Sequence, residues 1–232
     1  MKLFSSRVLL PVLALVAITS AHAQLSLTGS THGVFAPPVV PYTTVVNGPV
    51  TSTFASGIPS TPHEFKTSVK FTGSNFAGIQ SGDSFSLGTV KITNGVTKLG
   101  STATMTSMDL LLNIPAKGVT NFNLTTLYFA LDNTSNNGFQ NVPDLFFIGN
   151  SAPNTLKVGN TLVLFNVGYT DWSYNTLPGH PIPERKTGTV GLVADIRFVP
   201  VPEPSTYALF GALGLVSVVA YRRFRGPATP TA

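Results

Sequence analysis

Between Phe65 and Gly73 the chain alternates strictly, with Phe65, Thr67, Val69 and Phe71 on one phase and Lys66, Ser68, Lys70 and Thr72 on the other. A two-residue period sends one set of side chains to each side of a strand, so this segment predicts a strand with one buried face. Related signals recur at Ser84–Ile92, Met108–Ile114, Asn123–Leu131, Asp144–Ile148, Thr161–Val167 and Thr189–Val199. In the last of these, Val190, Leu192, Ala194, Ile196 and Phe198 form the apolar phase. Gly, Asn and Pro turns separate the runs, and no stretch of residues 24–199 sustains a 3.6-residue apolar period. Seven or eight short strands so punctuated predict an all-β fold, an antiparallel β-sandwich of jelly-roll-like form. No internal repeat occurs at solenoid spacing.

Local features refine this. The bulky side chains of Ser84–Ile92 change phase at Gly88, which predicts a bulge, and Asn94-Gly95 predicts a tight turn. Residues 24–63 are rich in Pro and Thr, with Pro37, Pro38, Pro41, Pro49 and Pro59 between Val34 and Ser60. Proline removes a ladder donor, so this region is expected as extended chain and edge strands. The sandwich proper is expected over 64–199.

The chain has no cysteine, which excludes disulfides, thiolate metal sites and a Cys nucleophile. A sequence pI near 9.6 suggests a nucleic-acid partner, but residues 24–199 hold nine Lys and Arg against eight Asp and Glu. No basic stripe there could neutralise a run of phosphates, so no nucleic-acid partner is expected.

Much of the excess positive charge sits at the ends. MKLFSSRVLLPVLALVAITSAHAQ has the form of a secretory signal. Lys2 and Arg7 precede the apolar run Val8–Ile18, and Ala21-His22-Ala23 gives a small-x-small cleavage site before Gln24. Residues 1–23 are therefore expected to engage a Sec translocon and a signal peptidase. At the other end, Tyr207–Tyr221 is an uncharged, mostly apolar run, followed by Arg222, Arg223 and Arg225. It is expected as one C-terminal transmembrane helix, the arginines holding the tail 222–232 on the cytoplasmic side. Pro202 and Pro204 would keep that helix from running back into the domain.

The segment Val201-Pro202-Glu203-Pro204-Ser205-Thr206, an apolar helix and an arginine cluster, in that order, closely resemble the PEP-CTERM sorting signal of Gram-negative bacteria. The resemblance implies an exosortase, a membrane-embedded cysteine protease that processes such tails near Pro-Glu-Pro. It also implies an inner-membrane intermediate and a destination at the cell surface or in the extracellular matrix, often beside exopolysaccharide. Residues 200–206 would be the motif linker. A second resemblance lies upstream. FKTSVKFTG, DSFSLGTVKITNG, DLLLNIP, LDNTSNNGFQNVPDLFFI and LKVGNTLVLFNVGY follow one another as in the choice-of-anchor K domain, over roughly Gly48–Val199. That module implies a class and a location, and no reaction.

Candidate chemistry in the exported region is sparse. His32, His63 and His180 are isolated from partners at metal-ligand spacing, and no G-x-S-x-G or phosphate-cradling loop occurs. Asp132 and Asp144 flank the segment NTSNNGFQNVP, so two strand-end carboxylates could frame a polysaccharide-cleaving cleft. Oxygens of Asp132, Asn133 and Asp144 could instead hold a structural Ca²⁺, or serve only Asx-type turns. No other cofactor is expected. Tyr169, Trp172 and Tyr174 form the densest aromatic cluster and include the only Trp. Their rings would suit sugar contact, or would pack against the end of the sandwich. Asn123-Leu124-Thr125 and Asn133-Thr134-Ser135 match the N-glycosylation sequon, which a Gram-negative sorting tail makes fortuitous. The expectation is a non-enzymatic surface or matrix protein. A carbohydrate-binding module and a polysaccharide-active enzyme are the alternatives.

Overall fold

The computed structural model describes residues 25–37, 41–98, 100–132, 144–170, 180–201 and 204–224. The signal segment with Ala21, Ala23 and Gln24 lies outside them, as do Asn133, Trp172, Tyr174, Pro202, Glu203 and Arg225. Among the described residues thirteen strands are present: β1 Leu27–Phe35, β2 Thr44–Val46, β3 Thr51–Ser56, β4 Thr67–Gly73, β5 Asn75–Ile79, β6 Ser84–Thr93 and β7 Met105–Ile114. The remaining six are β8 Val119–Asp132, β9 Asp144–Asn150, β10 Leu156–Val158, β11 Thr161–Thr170, β12 His180–Ile182 and β13 Thr187–Pro200. They form two antiparallel sheets. One has the order β12-β9-β8-β7-β1-β5 and the other β10-β11-β13-β6-β4-β3-β2.

All seven segments marked by alternation contain strands, and their apolar phase faces the core except at Phe65, which precedes β4 and is 41% exposed. Val69, Phe71, Val90, Ile92, Leu110, Leu112, Leu127, Val163 and Ile196 are all at most 5% exposed. Phenylalanines join the sheets. Phe35 on β1 meets Phe54 on β3 with ring centroids 6.0 Å apart, and Phe76 on β5 meets Phe85 on β6 at 4.8 Å. Such tilted ring pairs add to the free energy of burial alone.

More of the N-terminal region enters the sheets than its proline content suggests. β1 lies between β7 and β5, and β3 pairs with β4, so Leu27–Phe35 and Thr51–Ser56 are built into the sandwich. Pro37, Pro41, Pro49 and Pro59 stay outside the strands, and the edge position falls to the three-residue β2. The weakly alternating β1 and β5 hold their places through non-local pairing.

At Gly73-Ser74 the chain passes from one sheet to the other. Thr31 of β1 fixes this corner. Its hydroxyl donates to the Leu87 carbonyl at 2.5 Å and accepts the Ser74 amide at 2.9 Å. Leu87 is the residue that the β6–β13 register skips: Leu192 faces Gly88 and Val193 faces Ser86. The predicted bulge is therefore present. Gly88 has φ +133°, and a Cβ there would stand 2.3 Å from the Thr72 carbonyl oxygen, which leaves glycine as the residue that fits.

Asn94-Gly95 is not the hairpin turn its sequence suggests. β6 and β7 belong to different sheets, and the pair lies in the crossing between them. Asn94 is fully buried, donates its side-chain amide to the Ile182 carbonyl at 2.7 Å, and exchanges backbone hydrogen bonds with Arg185 and Lys186. The Gly95 amide donates to Thr67 Oγ1. Buried polar groups take the partners tertiary structure offers, and here these override the turn preference.

Among the described residues one α-helix is present, α1, spanning Pro204–Phe224. It begins within the segment read as a linker, because proline at the first helical position loses no hydrogen bond. Among the described residues no helix is long and apolar enough to cross a membrane. The transmembrane reading is corrected accordingly. The apolar run Tyr207–Tyr221 supplies roughly 22 Å of helix at 1.5 Å per residue, against a hydrocarbon core of about 30 Å.

Candidate functional site

The most defined functional element is the junction between sandwich and tail. β13 runs to Pro200 and stays paired with β11 there, Thr161 facing Pro200. The Val201 amide then donates to the Asn160 carbonyl at 2.7 Å, tying the first motif residue to the β10–β11 turn. Only Pro202 and Glu203 separate that anchored residue from the start of α1. Pro204, Ser205, Thr206 and Arg223 are described as backbone of the helix. Along α1, Tyr207, Phe210, Leu215, Val216 and Val219 are all more than 60% exposed, and Arg222 is exposed. A helix that is apolar all round yet uncovered by its own domain suits an apolar surrounding.

The acidic positions do not converge. Asp132 stands opposite Leu145, whereas Asp144 stands opposite Ile182 and shares the phase of Phe146, which is 3% exposed. Asp144 itself is 3% exposed on the core side. Asp132 holds a register position of the opposite phase, so the pleat assigns the two positions to opposite faces of the sheet. Among the described residues no three His, Cys, Asp or Glu side chains are grouped to hold a metal. The crevice between the sheets, beside Phe54, Phe129 and Phe146, encloses about 20 Å³, room for one water.

Of the aromatic cluster only Tyr169 is described. It is 38% exposed, and its hydroxyl donates to Asn150 Oδ1 at 2.9 Å, joining β11 of one sheet to β9 of the other. Partial burial pushes its phenol up to about 12. Its polar tip is thus engaged in holding the end of the sandwich. His32, with Nδ1 3.2 Å from the Asn113 amide, has its pKa lowered by burial and is a neutral structural side chain at pH 7.

Sequence reasoning passed over Tyr128 and Phe147. Leu127, Phe129, Leu131 and Phe146 turn inward, which leaves Tyr128 and Phe147 on the outer face of the six-stranded sheet, 45% and 39% exposed. The signal was present: LYFAL and LFFI are apolar on both phases, which marks a sheet with two apolar faces.

Comparison with known proteins places one part of the chain. Residues 200–225 match the PEP-CTERM protein-sorting motif. That motif supports export of the chain and sorting by an exosortase, and it implies a membrane-anchored intermediate. The match covers the tail and none of the sandwich, so the choice-of-anchor K resemblance of residues 48–199 has no support from it. No curated protein matches the chain.

Proposed function

We propose that the chain is a non-enzymatic cell-surface or extracellular-matrix protein. It leaves the cytoplasm through a Sec translocon, loses residues 1–23 to a signal peptidase, and is released from the inner membrane by an exosortase. The observation that carries this reading is the junction: a folded β-domain pinned at Val201, the Pro-Glu-Pro motif, then an exposed apolar helix. Pro204 disfavours helical backbone at the residue before it, which would offer Glu203 to a protease as extended chain. The tie at Asn160 brings the sandwich end containing the β10–β11 turn within a few residues of the processing point. α1 and the arginines after it hold that point at the membrane surface, apolar side chains against lipid and cations against headgroups. The non-enzymatic part of the reading is supported by register, which gives Asp132 and Asp144 no common cleft.

The test replaces Pro202-Glu203-Pro204 by three alanines in the natural host. The variant should accumulate as a membrane-retained form longer than the mature protein, seen by blotting of cell fractions and by mass spectrometry of the C-terminus. Normal release of a correctly trimmed variant would show that the motif is not what the processing enzyme reads.

A further inference from the structure

We infer that the outer face of the six-stranded sheet, centred on Tyr128 and Phe147, is a platform for a neutral polysaccharide. In the β8–β9 register Phe147 faces Ala130 and Tyr128 faces Gly149. The two rings are thus diagonal neighbours on one face, with Cα atoms about 7–8 Å apart, within reach of a common ligand. Met105 lies opposite Ala130 on the next strand and is 66% exposed. A Cβ added at Gly149 would meet nothing within 4 Å, so the space beside Tyr128 is open to solvent. Exposed large apolar groups gathered on one face mark an interaction surface.

The polar groups on this face choose the occupant. Ser107 stands opposite Tyr128, and Thr126 donates to Asp109 Oδ1 at 2.7 Å. Aromatic rings beside hydroxyl and carboxylate groups fit a polymer that is both C–H-rich on its ring faces and dense in hydroxyls. Asp109 lies on this face, and β7, β8 and β9 contain no Lys or Arg. A uronate- or phosphate-bearing chain would therefore meet like charge and no cation. Strand addition is closed as well, because these three strands are flanked by β12 and β1.

Export, as proposed above, decides only where the polymer would be met. Binding can be measured on the full chain purified from detergent-solubilised cells, so failure of the processing reading leaves this one standing, and the reverse. The experiment is affinity electrophoresis of that full chain in native gels containing hydroxyethyl-cellulose, galactomannan or alginate. We expect retardation by at least one neutral polymer, none by alginate, and roughly tenfold weaker retention for Tyr128→Ala and for Phe147→Ala. Tyr128→Phe should keep most of the retention. Circular dichroism checks folding, and both positions are on the surface, so truncation opens no core cavity. Three results would overturn the inference: no retardation by either neutral polymer, retardation by alginate alone, or folded alanine variants that bind as the parent does. Sedimentation showing a dimer that Tyr128→Ala dissolves, without glycan retention, would assign the face to self-association instead.

Discussion

Replacing Thr31 by Val tests whether the sandwich depends on a single hydroxyl at its corner. The substitution keeps the β-branched shape and removes the oxygen that serves both Leu87 and Ser74. Leu87 is fully buried and sits at the bulge, out of the β6–β13 register, so its carbonyl depends on a partner from the other sheet. Leaving a buried polar group without a partner costs about 1–3 kcal/mol. The Ser74 amide is half-buried, so water offsets part of its loss. The net destabilisation should be ~2–4 kcal/mol, a large share of the ~5–15 kcal/mol that holds a typical domain. Equilibrium urea unfolding of the secreted protein, followed by circular dichroism, measures it as a lower midpoint at unchanged slope. Thr31→Ser, which retains the hydroxyl, should recover most of the loss. If Thr31→Val unfolds within ~0.5 kcal/mol of the parent, the corner is held by packing alone and the reasoning fails.

Two further predictions use the same assay. Gly88→Ala should destabilise by ~3 kcal/mol or more, because it combines positive φ with a Cβ in contact with the Thr72 carbonyl and the Phe71 ring, whereas Gly149→Ala should stay within ~1 kcal/mol; equal effects would remove the steric argument. Tyr169 carries a pH signature: its phenol is pushed up to about 12 in the folded protein, so between the ordinary value near 10 and about 12 the folded state keeps a proton the unfolded chain releases. Stability should therefore fall as pH rises through that window, modestly because the side chain is partly exposed, and Tyr169→Phe should flatten the fall; an identical slope in both proteins would show that another group is responsible.

What could be read from the sequence, and what could not, divides along local and non-local interactions. The phase change at Gly88 announced a bulge, because a break in a two-residue period is visible along a single strand. Asn94-Gly95 misled for the complementary reason: its turn preference is local, whereas its partners Ile182, Arg185 and Thr67 come from distant segments. β5 was not expected, and β1 only as extended chain or an edge strand, because Gly29, Gly33 and Gly78 interrupt their apolar pattern; pairing with β7 and with each other supplies the missing stability. For the acidic pair the sequence left a cleft, a Ca²⁺ site and Asx-type turns open. Register adds that the two positions lie on opposite phases of the sheet, since one residue of offset in a pleated strand exchanges its faces.

The sorting tail needed no fold to be legible. Its signals, Pro202-Glu203-Pro204, the apolar run Tyr207–Tyr221 and the arginines after it, follow one another along the sequence, and residues 200–225 match the motif by that order alone. The β-class of the exported domain was likewise settled by the sequence, because a period of two is imposed by the strand itself. Which faces those strands present was settled by the tertiary structure. The outer-face position of Tyr128 and Phe147, the separation of Asp132 from Asp144, and the diversion of Tyr169 to Asn150 all follow from strand order and register. Those depend on contacts between residues far apart in the chain, whose free energy no local pattern records.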